Sequence, residues 1–133
     1  MRQAYIEAHD LRIWAAGEII GPEDLNLGLG WIESPDWIVA KRWFIDCSQL
    51  SKIDLGYDNM YLFSQRNQSI LKDVTGIRVA IFIQTEVAYG MVRMYQTLMT
   101  GAGLDFRIFR ERTECAAFLG VPEDALEFPP EEE

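Results

Sequence analysis

The sequence predicts an α/β protein in which an N-terminal β-hairpin is followed by βα repeats around a mixed sheet. Two observations carry that prediction. Arg78 to Phe109 reads as buried strand, amphipathic helix, glycine break and second strand, which is one βαβ unit, and Val79 to Ile83 is apolar on both faces, as a strand covered from both sides must be. The same alternation of strand-length apolar runs with helical spacing extends through most of the 133 residues, enough chain for one domain that folds without disulfides or metal.

Taken in order, Gln3 to Ile6 and Leu11 to Ile20 read as strands joined at the polar tip Ala8-His9-Asp10. Gly21-Pro22-Glu23-Asp24 starts a helix, with proline at its first position and acids in its first turn. Leu25, Leu29 and Ile32 form its inward stripe, and Gly28 and Gly30 weaken it. Ser34-Pro35-Asp36-Trp37 ends it, and Arg42 to Cys47 is the second core strand. From Tyr57 to Val74, Met60, Phe63, Ile70, Leu71 and Val74 keep helical spacing. Gln65, Arg66, Asn67 and Gln68 interrupt it, so this helix is expected to pack by its two ends.

Thr75-Gly76 closes that helix, the Val79 strand follows, and Thr85 offers a side-chain cap to the next helix. Val87, Ala88, Met91, Val92, Met94, Tyr95, Leu98 and Met99 form its apolar side, with Gly101 and Gly103 as terminators. A strand from Leu104 to Phe109 and a short helix from Thr113 to Leu119 lead to Gly120 and Pro122. The resulting order, ββαβαβαβα, implies later strands that are parallel and joined by right-handed crossovers. One domain is expected over residues 1–122, with 123–133 as an acidic tail.

The net charge of −9 is concentrated in that tail. Residues 123–133 hold six acidic and no basic residues, leaving 15 acidic against 12 basic in the rest. Scattered arginines without a basic stripe argue against a nucleic-acid partner. The longest apolar runs are strand-length and the start, Met1-Arg2-Gln3-Ala4-Tyr5, has no signal-peptide pattern, so a cytoplasmic protein without membrane insertion is expected. Cys47 and Cys115 form no CxxC pair and read as buried thiols; no cofactor or metal is expected.

Several segments carry a resemblance: the Gly21-Pro22-Glu23-Asp24-Leu25 helix start, the Ser34-Pro35-Asp36-Trp37 turn, Phe44-Ile45-Asp46, Val79-Ala80-Ile81, Phe106 to Arg110 and, most distinctively, Ala88-Tyr89-Gly90-Met91-Val92-Arg93-Met94-Tyr95. On these the chain resembles the small bacterial proteins of the STAS-like group, which share the βα-superhelical fold of the sporulation anti-sigma-factor antagonists. The resemblance implies a non-enzymatic regulatory or protein-interaction module. Those antagonists carry Asp-Ser-Ser-Gly at the start of the helix after the second core strand, where a kinase phosphorylates serine. Here the place reads Ile53-Asp54-Leu55-Gly56-Tyr57. Asp54 is retained as the expected helix cap, both serines are replaced, and only Ser48, Ser51 and Tyr57 stand nearby.

The residues expected to contact a partner or ligand are Tyr89, Arg93, Gly90, Thr85, Asp54 and Tyr57. Tyr89 and Arg93, four apart, are read as lying away from the Met91, Tyr95, Leu98 stripe, in a composition favoured at contact hot spots, and Gly90 beside them favours close approach of another surface. Four tryptophans, more aromatic surface than a small core readily hides, motivate a homodimer. No catalytic residue is expected: His9 is the single histidine, and Asp46 with Asp54 reads as a turn residue and a cap. The second reading is a carrier or sensor of a small apolar, lipid-like ligand, by outline resemblance to CRAL-TRIO domains. Its distinguishing mark is an apolar cavity between the helix at Tyr57 and the helix at Glu86.

Overall fold

The computed structural model describes residues 1–99 and 103–129, the Val87 side chain apart. Strand β1 (Arg2–Ile6) runs antiparallel to β2 (Leu11–Ala15) through a 3-10 turn at Glu7–His9, with Asp10 left-handed at φ 47°. The remaining strands of the main sheet are β4 (Arg42–Cys47), β6 (Ile77–Ile83) and β7 (Leu104–Phe109), and the order is β1-β2-β4-β6-β7 with every pairing after the hairpin parallel. Helices α1 (Pro22–Glu33), α2 (Tyr57–Ile70) and α3 (Glu86–Leu98) connect successive parallel strands, and α4 (Arg112–Leu119) follows the last. The mixed α/β sheet expected from the apolar patterning is therefore present.

The predicted strand Leu11 to Ile20 divides in two. It breaks after Ala15, and β3 (Ile19–Ile20) pairs in parallel with β5 (Lys52–Ile53) as a separate two-stranded ribbon. Residues Ala16, Gly17 and Glu18 let the chain leave the main sheet; the Glu18 carbonyl then accepts from the amides of Ser51 and Lys52. Helix α2 stops at Ile70, four residues short of the expected Val74. Helix α3 ends at Leu98, and Gly101, expected as one of its terminators, lies outside the described residues.

Strand alternation divides the interior into two cores. On β6, Val79, Ile81 and Ile83 join Trp43, Cys47, Phe106, Ala88 of α3 and the residues just past the ends of α2 and α3, Leu71 and Met99, on one face. Ala80 and Phe82 join Leu11, Ile13 and Phe44 with Cys115, Ala116 and Leu119 of α4 on the other. That second core also takes Leu126, 1% exposed, from a 3-10 turn at Glu123–Leu126, while Arg2 lies 4.3 Å above the Phe128 ring. The domain therefore continues past residue 122. The acidic side chains had marked 123–133 as tail, yet apolar residues between them close a core face; residues 130–133 lie outside the described part.

All four tryptophans meet. Trp14 sits at the centre, with ring centroids 5.4 Å from Trp31, 5.4 Å from Trp37 and 6.3 Å from Trp43. The aromatic surface that motivated a dimer is thus largely consumed within one subunit. Beside this cluster the buried Arg12 guanidinium lies 3.7 Å from the Trp37 ring centre and 4.9 Å from Tyr5, and donates to Gln3 Oε1 and the Ile38 carbonyl. It ties the loop after α1 to the hairpin.

Two glycines on this scaffold should respond in opposite directions to alanine. A Cβ on Gly103 would collide with the Val74 carbonyl oxygen, backbone that cannot swing aside, whereas Gly30 faces open space on α1. Gly103→Ala is expected to lower unfolding free energy by about 1–3 kcal/mol. Gly30→Ala is expected to raise it by about 0.5–1 kcal/mol. Urea titrations followed by tryptophan fluorescence measure both.

Candidate functional site

Helices α1, α2 and α3 cover the same sheet face, and between them and the sheet lies a cavity of about 150 Å³. Each helix contributes from successive turns: Leu25, Gly28 and Ile32 from α1, Met60, Phe63 and Asn67 from α2, and Met91, Val92 and Tyr95 from α3. The floor comes from strand residues on one side of the pleat, namely Trp14, Trp43, Ile45, Cys47, Ile81 and Phe106. Gly28 keeps the α1 wall thin. A Cβ there would stand 3.5 Å from the Met1 methyl carbon and 3.7 Å from the Trp14 ring.

The lining is apolar with few exceptions. Asp24 accepts a hydrogen bond from the Gly21 amide at 2.9 Å, and the Met1 amino group lies 3.8 Å away. Asn67 is 4% exposed, and its Nδ2 donates to the Tyr95 hydroxyl at 2.7 Å. Its Oδ1 has no donor among the described residues, and the buried Trp14 Nε1 has no acceptor there. Burial pushes the Tyr95 hydroxyl pKa upward, so the group stays protonated at neutral pH.

Asn67 belonged to the polar stretch expected to interrupt α2. Instead it continues the buried stripe of Met60 and Ser64, and its neighbours bind α2 along its length: Gln68 Nε2 donates to the Leu98 carbonyl at 2.6 Å, and Arg66 meets Glu33 at 2.6 Å. The signal available in the sequence was position alone, since Met60, Phe63, Asn67 and Leu71 share one helical face.

The structure distributes the expected contact residues differently. Tyr89 packs against the core beside Ala88 and Val92, and Arg110 covers its ring at 5.0 Å while pairing with Glu86 at 2.7 Å. It does not point away from the buried stripe, because the seam of α3 runs through Ala88, Val92, Tyr95 and Met99, which Tyr89 flanks. Arg93 is exposed, and Gly90 is exposed with none of the described residues within 4 Å of its missing Cβ. Thr85 does cap α3, its Oγ1 accepting from the Ala88 amide at 3.4 Å.

Asp54 is exposed and is not the cap of α2. Gly56 occupies that position, its amide donating to Asn59 Oδ1 at 3.1 Å, because α2 begins two residues later than Asp54 requires. Tyr57 lies exposed at the first turn and stacks on Tyr61, ring centroids 6.1 Å apart. Asp46 faces the other side of the sheet, where Oδ1 accepts from the Ser48 amide at 2.9 Å and Oδ2 lies 3.6 Å from Arg112. It forms no pair with Asp54.

No known family's profile matches the chain, and neither the curated proteins nor the solved structures provide a match. Among the described residues, no helix is long and apolar enough to cross a membrane.

Burial raises both cysteine thiols from 9.0 to about 12. A raised folded-state pKa means that the unfolded chain releases these protons first, so the contribution to stability is complete below pH 9.0 and is lost as pH rises toward about 12. The urea midpoint should therefore fall across that interval, and Cys47→Ala should flatten the fall. At pH 8 a thiol-reactive dye should label neither cysteine until denaturant is added; fast labelling of Cys47 in the native protein would contradict its burial.

Proposed function

We propose that this chain is a non-enzymatic binding module of STAS-like fold that takes a small apolar ligand between its sheet and helices α1 to α3. The observation that carries the reading is the cavity itself, which lies between α2 and α3 and is walled by apolar side chains. The cavity is partly open to solvent, and its apolar lining lacks contacts that a ligand would restore. A cavity of about 150 Å³ is large enough for a benzene-sized molecule and too small for a long-chain lipid. The methionines Met60 and Met91 in the walls adapt to guests of differing outline.

The strand order supports the STAS-like part of the proposal. Each parallel strand adds to the same growing edge of the sheet, and α1, α2 and α3 follow one another across one face, the arrangement of a βα superhelix. The resemblance implies regulation by protein contact, and a ligand buried under α2 offers a physical input to such a module.

A second reading, contact through the outer face of α2, rests on a separate observation. Tyr57, Tyr61 and Leu62 are 57%, 43% and 61% exposed on adjacent turns. Exposed aromatic and apolar groups grouped in this way are favoured contact residues. If they join two copies of this chain, sedimentation should show a dimer that Leu62→Asp dissolves. A monomer at high micromolar concentration removes the self-association reading.

For the ligand reading, toluene held at ten times its dissociation constant should raise the thermal midpoint by about 4–7 °C, the shift that mass action gives for a domain of this size. Val92→Trp, which projects a ring into the cavity, should abolish the shift while leaving the far-ultraviolet spectrum unchanged. Native mass spectrometry of freshly purified protein is expected to retain a small guest that departs on denaturation. Absence of both the guest and the toluene shift would refute the reading.

A further inference from the structure

Exposed apolar side chains gather on the helix layer. Among the described residues seven large hydrophobic side chains are exposed, and five of them, Ile19, Leu27, Tyr57, Tyr61 and Leu62, belong to β3, α1 and α2. Between the two helices runs a groove of about 240 Å³, lined by Pro22, Leu25 and Leu29 from α1 and by Asn59, Leu62 and Phe63 from α2. From Pro22 to Leu29 it extends about 10 Å, the length of two helical turns.

The small ribbon sets the charge around this groove. Strands β3 and β5 pair in parallel and lead directly into α1 and α2, so the two helices start side by side, and Arg66 with Glu33 at 2.6 Å joins their later turns. The shared starting end is acidic. Glu18, Glu23, Asp54 and Asp58 are all exposed there, against one exposed cation, Lys52. None of these four carboxylates meets a cation among the described residues, whereas Asp24 has the Met1 amino group at 3.8 Å. The groove therefore runs from an acidic end to one where charge is already paired.

That asymmetry selects the occupant. A second copy brings no free positive charge to this face, since it offers either the same carboxylates or the paired Arg66 and Glu33. Phosphates of nucleic acid and anionic lipid headgroups are repelled. We propose that the groove docks a short segment of a partner protein that sets aliphatic or aromatic side chains against Leu25, Leu29, Leu62 and Phe63 and carries lysine or arginine at the end nearest Glu23 and Asp58. The proposal rests on the reading of α2 as a contact surface and differs from self-association in the occupant; it is independent of the cavity ligand. Apolar burial holds the segment, and the charges orient it and speed its encounter.

Fluorescence anisotropy of two labelled peptides of about 14 residues, titrated with the intact protein, tests this. One places leucines at helical spacing among lysines, and in the other every lysine is glutamate. The lysine peptide should bind at least about tenfold more tightly, and its affinity should fall as sodium chloride is raised. Glu23→Gln with Asp58→Asn should weaken it by about three- to tenfold. Leu62→Ser should weaken it at every salt concentration. Glu123→Gln with Asp124→Asn removes the same charge from exposed carboxylates beside the opposite core, and should change the affinity less than about twofold. Equal losses from the two pairs would show attraction by net charge alone and overturn the proposal, as would equal binding of the two peptides. A dimer in sedimentation that Leu62→Asp dissolves gives the groove to a second copy, which overturns this occupant and keeps the contact reading of α2. A monomer that binds neither peptide removes both.

Discussion

The architecture depends on the direction in which the parallel strands accumulate. Beginning at β2, each new strand adds to the same edge, through β4 and β6 to β7, and each is reached by a helical crossover. Crossovers of one hand that always advance the same way deliver their helices to one face. Three helices therefore share that face, while α4 and the turn after it cover the opposite one. The crowded face has to accommodate three helix axes over a twisted sheet, and the space between them is where the cavity lies. Gly28 on α1 and the flexible methionines of α2 and α3 leave that space open, where a leucine or phenylalanine at position 28 would occupy it.

The tryptophan cluster belongs to the same layer, and two of its members, Trp14 and Trp43, floor the cavity. Trp14 comes from β2 and Trp43 from β4, adjacent strands, whereas Trp31 lies on α1 and Trp37 in the loop that follows. Their convergence anchors the first crossover to the sheet at the point where α1, interrupted by Gly28 and Gly30, has the weakest intrinsic helical preference. Arg12 adds a cation held by two aromatic rings and a backbone carbonyl. Its Nε has no partner among the described residues, and burial lowers its pKa, so it serves through packing and through its two side-chain hydrogen bonds.

Where local pattern and tertiary packing agree, the elements were legible from the chain alone: β4 and β7 begin and end where their apolar runs do, α1 opens on Pro22, and Thr85 caps α3. The differences between pattern and structure share a cause, which is that a polar side chain need not be an exposed one. Asn67 lies in a polar stretch of α2 and Leu126 among carboxylates, yet position on the helix buries the first and the second closes a core face. Tyr89 fails in the opposite sense. The stripe through Met91, Tyr95 and Leu98 and the true seam through Ala88, Val92, Tyr95 and Met99 differ by a modest rotation of α3, which apolar residues on several sides of one helix leave undetermined. The ribbon of β3 and β5 was invisible because two-residue pairing leaves no periodic trace.

Asn67 links α2 to α3 beside the cavity, since its Nδ2 donates to the Tyr95 hydroxyl and both residues belong to the lining. In a solid core, leucine at this position would pack better and leave no amide end unmatched. The chain instead places an amide on the same face as Met60 and pairs half of it with a tyrosine from the neighbouring helix, while Oδ1 stays buried without a donor among the described residues. Any guest that fills the cavity acts on α2 and α3 together, since Met60 and Phe63 of one and Met91 and Val92 of the other line it. Occupancy thereby tightens the same pair of helices that Gln68 joins at the Leu98 carbonyl. Helix α2 also carries Tyr57, Tyr61 and Leu62 on its outer side, so a ligand that changes how firmly α2 is held changes the surface that those residues present.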